Sequence, residues 1–197
     1  TVILPQIKLN KAMKLIDEKE YEAAQKLLEG LDYKDSKEKL AEAKLAHQIE
    51  LILKAKVGSN VSFGAYEQDN NNSNGKEDIE WIVLEKDDDK ALLISKYALD
   101  CQPYNTERVD VTWETCSLRK WMNETFLKEA FGEKEQTKIQ TATVTADKNP
   151  EYATNPGDAT MDKVFLLSIS EAEKYFTSDE QKECVPTKYV LQQGAFV

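Results

Sequence analysis

Side chains that bind, polarise or attack a reacting group are thinly spread in this sequence. Its one histidine, His47, stands between Ala46 and Gln48 in a stretch of helical periodicity. Serine- or cysteine-based catalysis needs an imidazole held against a hydroxyl or thiol, and no Ser or Cys stands out as that partner. A packing or surface role is the simpler reading, and a histidine-based zinc site lacks ligands. The cysteines, Cys101, Cys116 and Cys184, make an odd count of three with no Cys-x-x-Cys pair. That argues against a disulfide framework and against a metal knuckle, while one bridge plus one free thiol stays open. Cys116 falls near an expected helix start, a setting in which thiols can become reactive, yet a packed cysteine is more economical. Cys101 precedes the turn-like Gln102-Pro103-Tyr104 and supports nothing sharper.

The best metal-like spacing is Asp69-x-Asn71-x-Ser73-x-Gly75-x-Glu77-x-x-Glu80. Oxygen donors in this order resemble a calcium loop, with Asp69, Asn71, Ser73 and Glu80 as its candidate ligands. The glycine is one place late, however, and strands instead of helices flank the segment, so a solvated hairpin turn is the preferred reading. Carboxylates are abundant, but none pairs with another in a way that marks acid–base work. Glu114 reads as a first-turn helix charge and Arg119 as its partner or as a bridge to a sheet. Trp81, Trp113 and Trp121 could form a sugar-stacking platform, although their core-facing spacing favours packing. Gly157 follows Pro156 alone, with no glycine-rich phosphate loop around it. No residue is assigned a catalytic role, and no cofactor is expected.

The elements that would position these residues follow from composition and period. The chain of 197 residues is 41% apolar and 31% charged, enough for a real core under a well-solvated surface. Its formal charge of -10, from 36 acids against 26 bases, repels phosphate backbones and anionic headgroups. Nucleic acid is therefore not an expected partner, nor is direct membrane contact within this chain. No apolar run approaches the roughly 18 to 20 residues that span a bilayer. The start at Thr1-Val2-Ile3-Leu4-Pro5 reads as the interior of a longer polypeptide.

Helical spacing of Leu9, Ala12, Met13 and Ile16, then of Tyr21, Ala24, Leu27 and Leu28, predicts two helices, the second ending at Gly30. Asp35 or Ser36 caps a third, which carries Leu40, Ala43, Ala46, Ile49 and Leu53. The first pair resembles a tetratricopeptide hairpin, with Lys19 where the tight-turn glycine is usual. The texture changes at Val57-Gly58. Strands at 61–66, 79–85 and 91–95, joined by Asn/Asp/Gly turns, predict an antiparallel meander. Thr112 is expected to cap a helix burying Trp113, Leu118, Trp121 and Met122, followed by Phe126 to Phe131 and a short helix over 133–140. Residues 147–162 read as a long loop, 163–169 as a buried strand, and Ser170-Glu171 as the start of another helix. The fold class is α+β, a helical stalk over 1–56 followed by a mixed domain over 57–197.

Five strings in order carry a family resemblance. They are Val57-Gly58-x-x-Val61-x-Phe63-Gly64-x-Tyr66-Glu67-Gln68, Ile79-Glu80-Trp81-Ile82-Val83-Leu84, Ala91-Leu92-Leu93-Ile94-Ser95-Lys96, Trp113-Glu114-x-x-Ser117-Leu118-Arg119-x-Trp121-x-Asn123, and Asp162-Lys163-Val164-Phe165-Leu166-Leu167-Ser168. Together they resemble a bacterial family known only as a domain of unknown function, number 6273. The resemblance implies an extracytoplasmic module, tethered by a membrane segment upstream and preceded by a tetratricopeptide-like hairpin. Members usually continue into a second half with a tryptophan-rich strand, an Arg-Ser-Pro-Gly turn and a closing Arg-Pro-Ala-Leu strand. That half gives the family its distant likeness to C-type-lectin folds. None of it follows Val197, so the domain is expected to be incomplete at its C-terminus. The expected function is non-catalytic recognition of a glycan or protein through loops such as 68–76 and 147–162. One competing expectation is a protein–protein scaffold working through the helical hairpin. The other is a fragment of an enzyme whose chemistry lies in the absent half.

Overall fold

The computed structural model describes residues 3–195; expectations attached to Thr1, Val2, Phe196 and Val197 fall outside them. Three helices come first: α1 (Ile3–Asp17), α2 (Tyr21–Leu28) and α3 (Ser36–Lys54). Short connections make neighbours antiparallel, and α2 packs against both of the others. Leu9, Ala12 and Leu28 are buried where they meet, with Ile16, Leu31, Tyr33 and Leu40 packed around them. This is the face that the 3.6-residue period marks. Lys19 closes the α1–α2 turn in the left-handed region, φ 61°. The buried Ser36 closes the α2–α3 turn: its hydroxyl donates to Leu31 O and accepts Tyr33 N at 3.2 Å. It does so in place of capping α3.

Strands β1 (Asn60–Tyr66), β2 (Glu77–Lys86) and β3 (Ala91–Ser95) form an antiparallel sheet in the order β1-β2-β3. At the β2–β3 turn, Asp87 Oδ1 accepts the N–H groups of Asp89 (3.2 Å) and Lys90 (3.1 Å), as an Asx turn requires. The β1–β2 register shifts between Ser62 and Ala65. Gly64 lies in this bulge at φ 71°, so close to the Phe131 ring that a Cβ there would stand 2.5 Å from it. The bulge lets Phe131 reach Phe63 (centroids 5.3 Å) and Trp81 (6.2 Å).

The central helical run differs from the expectation in its start. Cys116, not Thr112, is the N-cap of α4 (Ser117–Trp121): its sulfur accepts Arg119 N at 3.4 Å. A π-helical turn (Met122–Phe126) continues α4 into α5 (Leu127–Ala130). The helix expected over 133–140 is the single turn α6 (Glu133–Gln136). Strand β4 (Tyr97–Ala98) pairs in parallel with β7 (Val185–Pro186), and β5 (Ala142–Val144) pairs antiparallel with β6 (Thr160–Asp162). Residues 163–168 are not a strand, because the Lys163 and Val164 N–H groups go to Asn123 Oδ1 instead of to a ladder. Helix α7 (Ile169–Tyr175) starts one residue earlier than expected, with Ser168 and Glu171 as a reciprocal capping box. Short helices α8 (Asp179–Lys182) and α9 (Lys188–Gln192) flank β7.

A second apolar cluster joins Phe63, Tyr66 and Ile79 of the sheet to Leu99, Phe126, Leu127, Ala130 and Phe131. Ile52 of α3 belongs to it, with Leu45 and Ile49 packed alongside. Helix α3 therefore serves both clusters, Leu40 facing the first and Ile52 the second. Two left-handed positions give opposite expectations. Gly64→Ala places a methyl against Phe131 and against Ala130 O, and urea denaturation should show a loss of at least about 2 kcal/mol. Lys19→Gly relieves a strained backbone at an exposed turn and should raise stability by about 0.5 kcal/mol.

Candidate functional site

The motif residues Trp113, Arg119, Asn123 and Asp162 come together as one hydrogen-bonded unit. Asp162 is 3% exposed at the end of β6. Arg119 Nε donates to both of its oxygens, at 2.8 and 3.0 Å; Thr160 Oγ1 donates at 2.6 Å and Trp113 Nε1 at 3.1 Å. Asn123, in the π-helical turn, sends its Nδ2 to Arg119 O (3.1 Å) and Val164 O (2.8 Å). Burial pushes the Asp162 carboxyl up, but the bonds from Arg119, Thr160 and Trp113 outweigh it and hold the group below its ordinary value. Arg119 also reaches Glu114 through that residue's carbonyl, not its carboxylate. These groups answer one another and form a clamp between α4, the π-helical turn and β6.

Of the other candidates for chemistry, His47, Cys101 and Cys184 stand apart from this unit. His47 Nδ1 meets Gln25 Nε2 at 3.2 Å, linking α3 to α2. Cys101, Cys116 and Cys184 are all free thiols; Cys116 is buried as a helix cap, and burial pushes the Cys184 thiol up. The three tryptophans are half-buried and tied into the fold. Trp81 stacks on Phe131 and donates to Phe63 O at 2.7 Å, Trp113 is bound to Asp162, and Trp121 packs on Phe126 at 5.7 Å.

The candidate calcium ligands separate. Asn71 Oδ1 takes up Ser73 N and Ser73 Oγ, while Glu80 pairs with Lys96 at 2.7 Å across the β2–β3 ladder. Asp69 alone of the four stands in a carboxylate cluster, and its companions are Glu67 and Glu77. One oxygen of each lies within 4.8 Å of the other two. The one signal in the sequence was that all three acids flank the same expected turn. Glu67 and Asp69 follow the end of β1, and Glu77 opens β2 opposite Tyr66. A twelve-residue loop template beginning at Asp69 passes over Glu67.

A wide groove of about 950 Å³ runs between α3 and β1, the free edge of the sheet, with the α5–α6 turn closing one side. Leu51, His47 and Gln48 line its helical wall, and Ser62 and Ala65 its strand wall. Gln48 Nε2 reaches Ser62 O at 2.8 Å, whereas the Ser62 hydroxyl is buried without a partner. A second open hollow lies within loop 104–111. That loop is pinned by Ser117, whose Oγ accepts Thr106 N at 2.9 Å and whose N–H goes to Asn105 Oδ1 at 3.0 Å.

The clamp sets a pH dependence. Asp162 has a folded-state value below the ordinary 3.8, so its stabilisation is complete above the unfolded value and is lost as pH falls through the folded one. Asp162→Asn should cost about 2–3 kcal/mol near neutrality. Chemical denaturation across pH should show that deficit constant above about pH 5 and shrinking below about pH 4.

Among the described residues no helix is long and apolar enough to cross a membrane. No curated protein and no solved structure matches the chain. A family model does, over residues 88–193, beginning at the β2–β3 turn and taking in both halves of the Asp162 clamp. The first two strings that suggested the resemblance, in β1 and β2, lie ahead of that stretch. With more than half its length matched, the chain belongs to the family described as a domain of unknown function, DUF6273.

Proposed function

We propose that the chain is a non-catalytic recognition module that receives an extended polypeptide segment in the groove beside β1. The observation that supports this reading is the open groove along an edge strand, whose wall holds the unpartnered Ser62 hydroxyl. Edge strands offer backbone donors and acceptors to an added strand, and side chains on both walls then select the sequence. Protein is favoured over glycan because Trp81 and Trp121 pack on phenylalanine rings and the Trp113 indole N–H is taken by Asp162, and none of the three lines the groove. The extracytoplasmic, tethered setting that the family resemblance implies suits such a module, since an anchored receptor meets extended segments of neighbouring surface proteins.

A second reading rests on α1, where Ile3, Leu4 and Ile7 are 75%, 63% and 55% exposed. Apolar side chains grouped at one helix end favour a scaffold that docks through its helical unit. The two readings part under mutation. Extended peptides selected from a display library on the whole chain should lose at least about tenfold in affinity on Leu51→Lys or Ala65→Lys. They should be indifferent to Ile7→Lys. Leu51 is 54% exposed, so its replacement leaves the core intact. Selected peptides that bind both groove variants as tightly as the parent would sink the groove reading.

A further inference from the structure

We propose that the β1–β2 hairpin holds a divalent cation of calcium size between Glu67, Asp69 and Glu77. The three carboxylates are gathered at one end of the hairpin, an oxygen of each within 4.8 Å of the others. Oxygens gathered this closely can share one divalent cation. Calcium, with its irregular shell at roughly 2.3–2.6 Å, suits a loop site of this kind better than magnesium, which demands a near-ideal octahedron.

Two observations besides proximity point to a ligand. Asp69 Oδ1 is shut off from solvent and receives no hydrogen bond. An orphaned carboxylate oxygen in the interior is costly unless something positive meets it. Among the described residues, moreover, no Lys or Arg forms an ion pair with any of the three acids. The nearest lysine in sequence, Lys76, is turned away to Glu129 O.

The donors that are present fix the carboxylates without using them up. Glu67, itself 8% exposed, gives one oxygen to Asn71 N at 2.9 Å. Glu77 Oε2 accepts Gln68 N at 2.8 Å and Asp69 N at 3.3 Å, and Asp69 Oδ2 accepts Asn74 Nδ2 at 2.9 Å. Among the described residues no donor reaches the second oxygen of any of the three. Each acid is oriented through one oxygen and offers the other, as the outer partners of a metal ligand do. Loop carbonyls and water complete the six to eight oxygens that calcium takes.

Calorimetric titration of the whole chain with calcium chloride should give one site with a dissociation constant of about 0.1–1 mM, the range of extracellular calcium modules. Calcium at about ten times that constant should raise the melting temperature by about 3–5 °C, and magnesium should do less. Asp69→Asn should abolish the calcium-induced rise while leaving the metal-free protein at least as stable as the parent, because it removes one of three unopposed charges. Glu67→Gln provides a second variant with the same expected loss of response. Peptide binding in the β1 groove is measured both in chelator and in calcium, so failure of that reading is distinguished from failure of this one. The proposal is overturned if millimolar calcium gives neither heat nor a shift in melting, or if the shift survives in both variants.

Discussion

Helix α3 has to lie in two cores at once, and the rest of the molecule is arranged around that constraint. Its first turns complete the small cluster of Leu9, Ala12 and Leu28, and its last turns bring Ile52 against the sheet. A three-helix unit of this size has little core of its own, so the shared helix lets each cluster lean on the other. The C-terminal end of α3 is held accordingly. Lys86 of β2 brings its ammonium to Leu53 O and, at 3.1 Å, to Ala55 O, where the helix leaves carbonyls unanswered and its dipole is negative. Gly58 N then bonds to Val83 O at 2.8 Å. Helix and sheet are thereby fixed to each other, and the groove between them has a defined width.

On the sheet side, a glycine and a ring set the corresponding limit. Phe131 sits over the Gly64 bulge, touching Phe63 and Trp81, and this draws the α5–α6 turn down to close the groove's end. A side chain at position 64 would lift the turn away. The Asp162 clamp then joins the α4–α5 run to β6 and to the irregular segment after it. The residues that look chemically active in the sequence, Trp113, Arg119, Asn123 and Asp162, therefore meet one another. Their work is to hold a segment with no ladder of its own, in which Lys163 and Val164 take their backbone partner from Asn123. A buried charge so fully answered rigidifies a fold.

Legibility in the sequence follows the range of the interaction. The three N-terminal helices and the meander were readable because their signals are local: a 3.6-residue apolar period, and Asn/Asp/Gly turns between alternating runs. Cys116 was not readable as a helix cap, because sulfur rarely takes that role and Thr112 offered a commoner oxygen. Residues 163–169 read as a strand on apolar content alone, and only the distant Asn123 decides otherwise. The carboxylate cluster failed for a related reason. A spacing template assumes that ligands follow one another along the chain, whereas Glu77 reaches Glu67 and Asp69 across a hairpin whose register no local pattern gives.

The carboxylate cluster and the groove are not independent features. Lys76 and Asp78, on either side of Glu77, both line the groove, while Glu77 itself belongs to the cluster. Along a strand neighbouring side chains alternate in direction, so one short stretch of β2 presents one face to the hairpin acids and the other to the groove. The base of the same hairpin is tied to α9 through Tyr189 N and Gln68 O at 3.1 Å, and its rim to α5 through Lys76 and Glu129 O. A charge placed among the three acids therefore acts on a segment already anchored at two points. The freedom it removes is that of the groove's own wall, and a wall ordered beforehand lowers the entropy cost of receiving an extended chain.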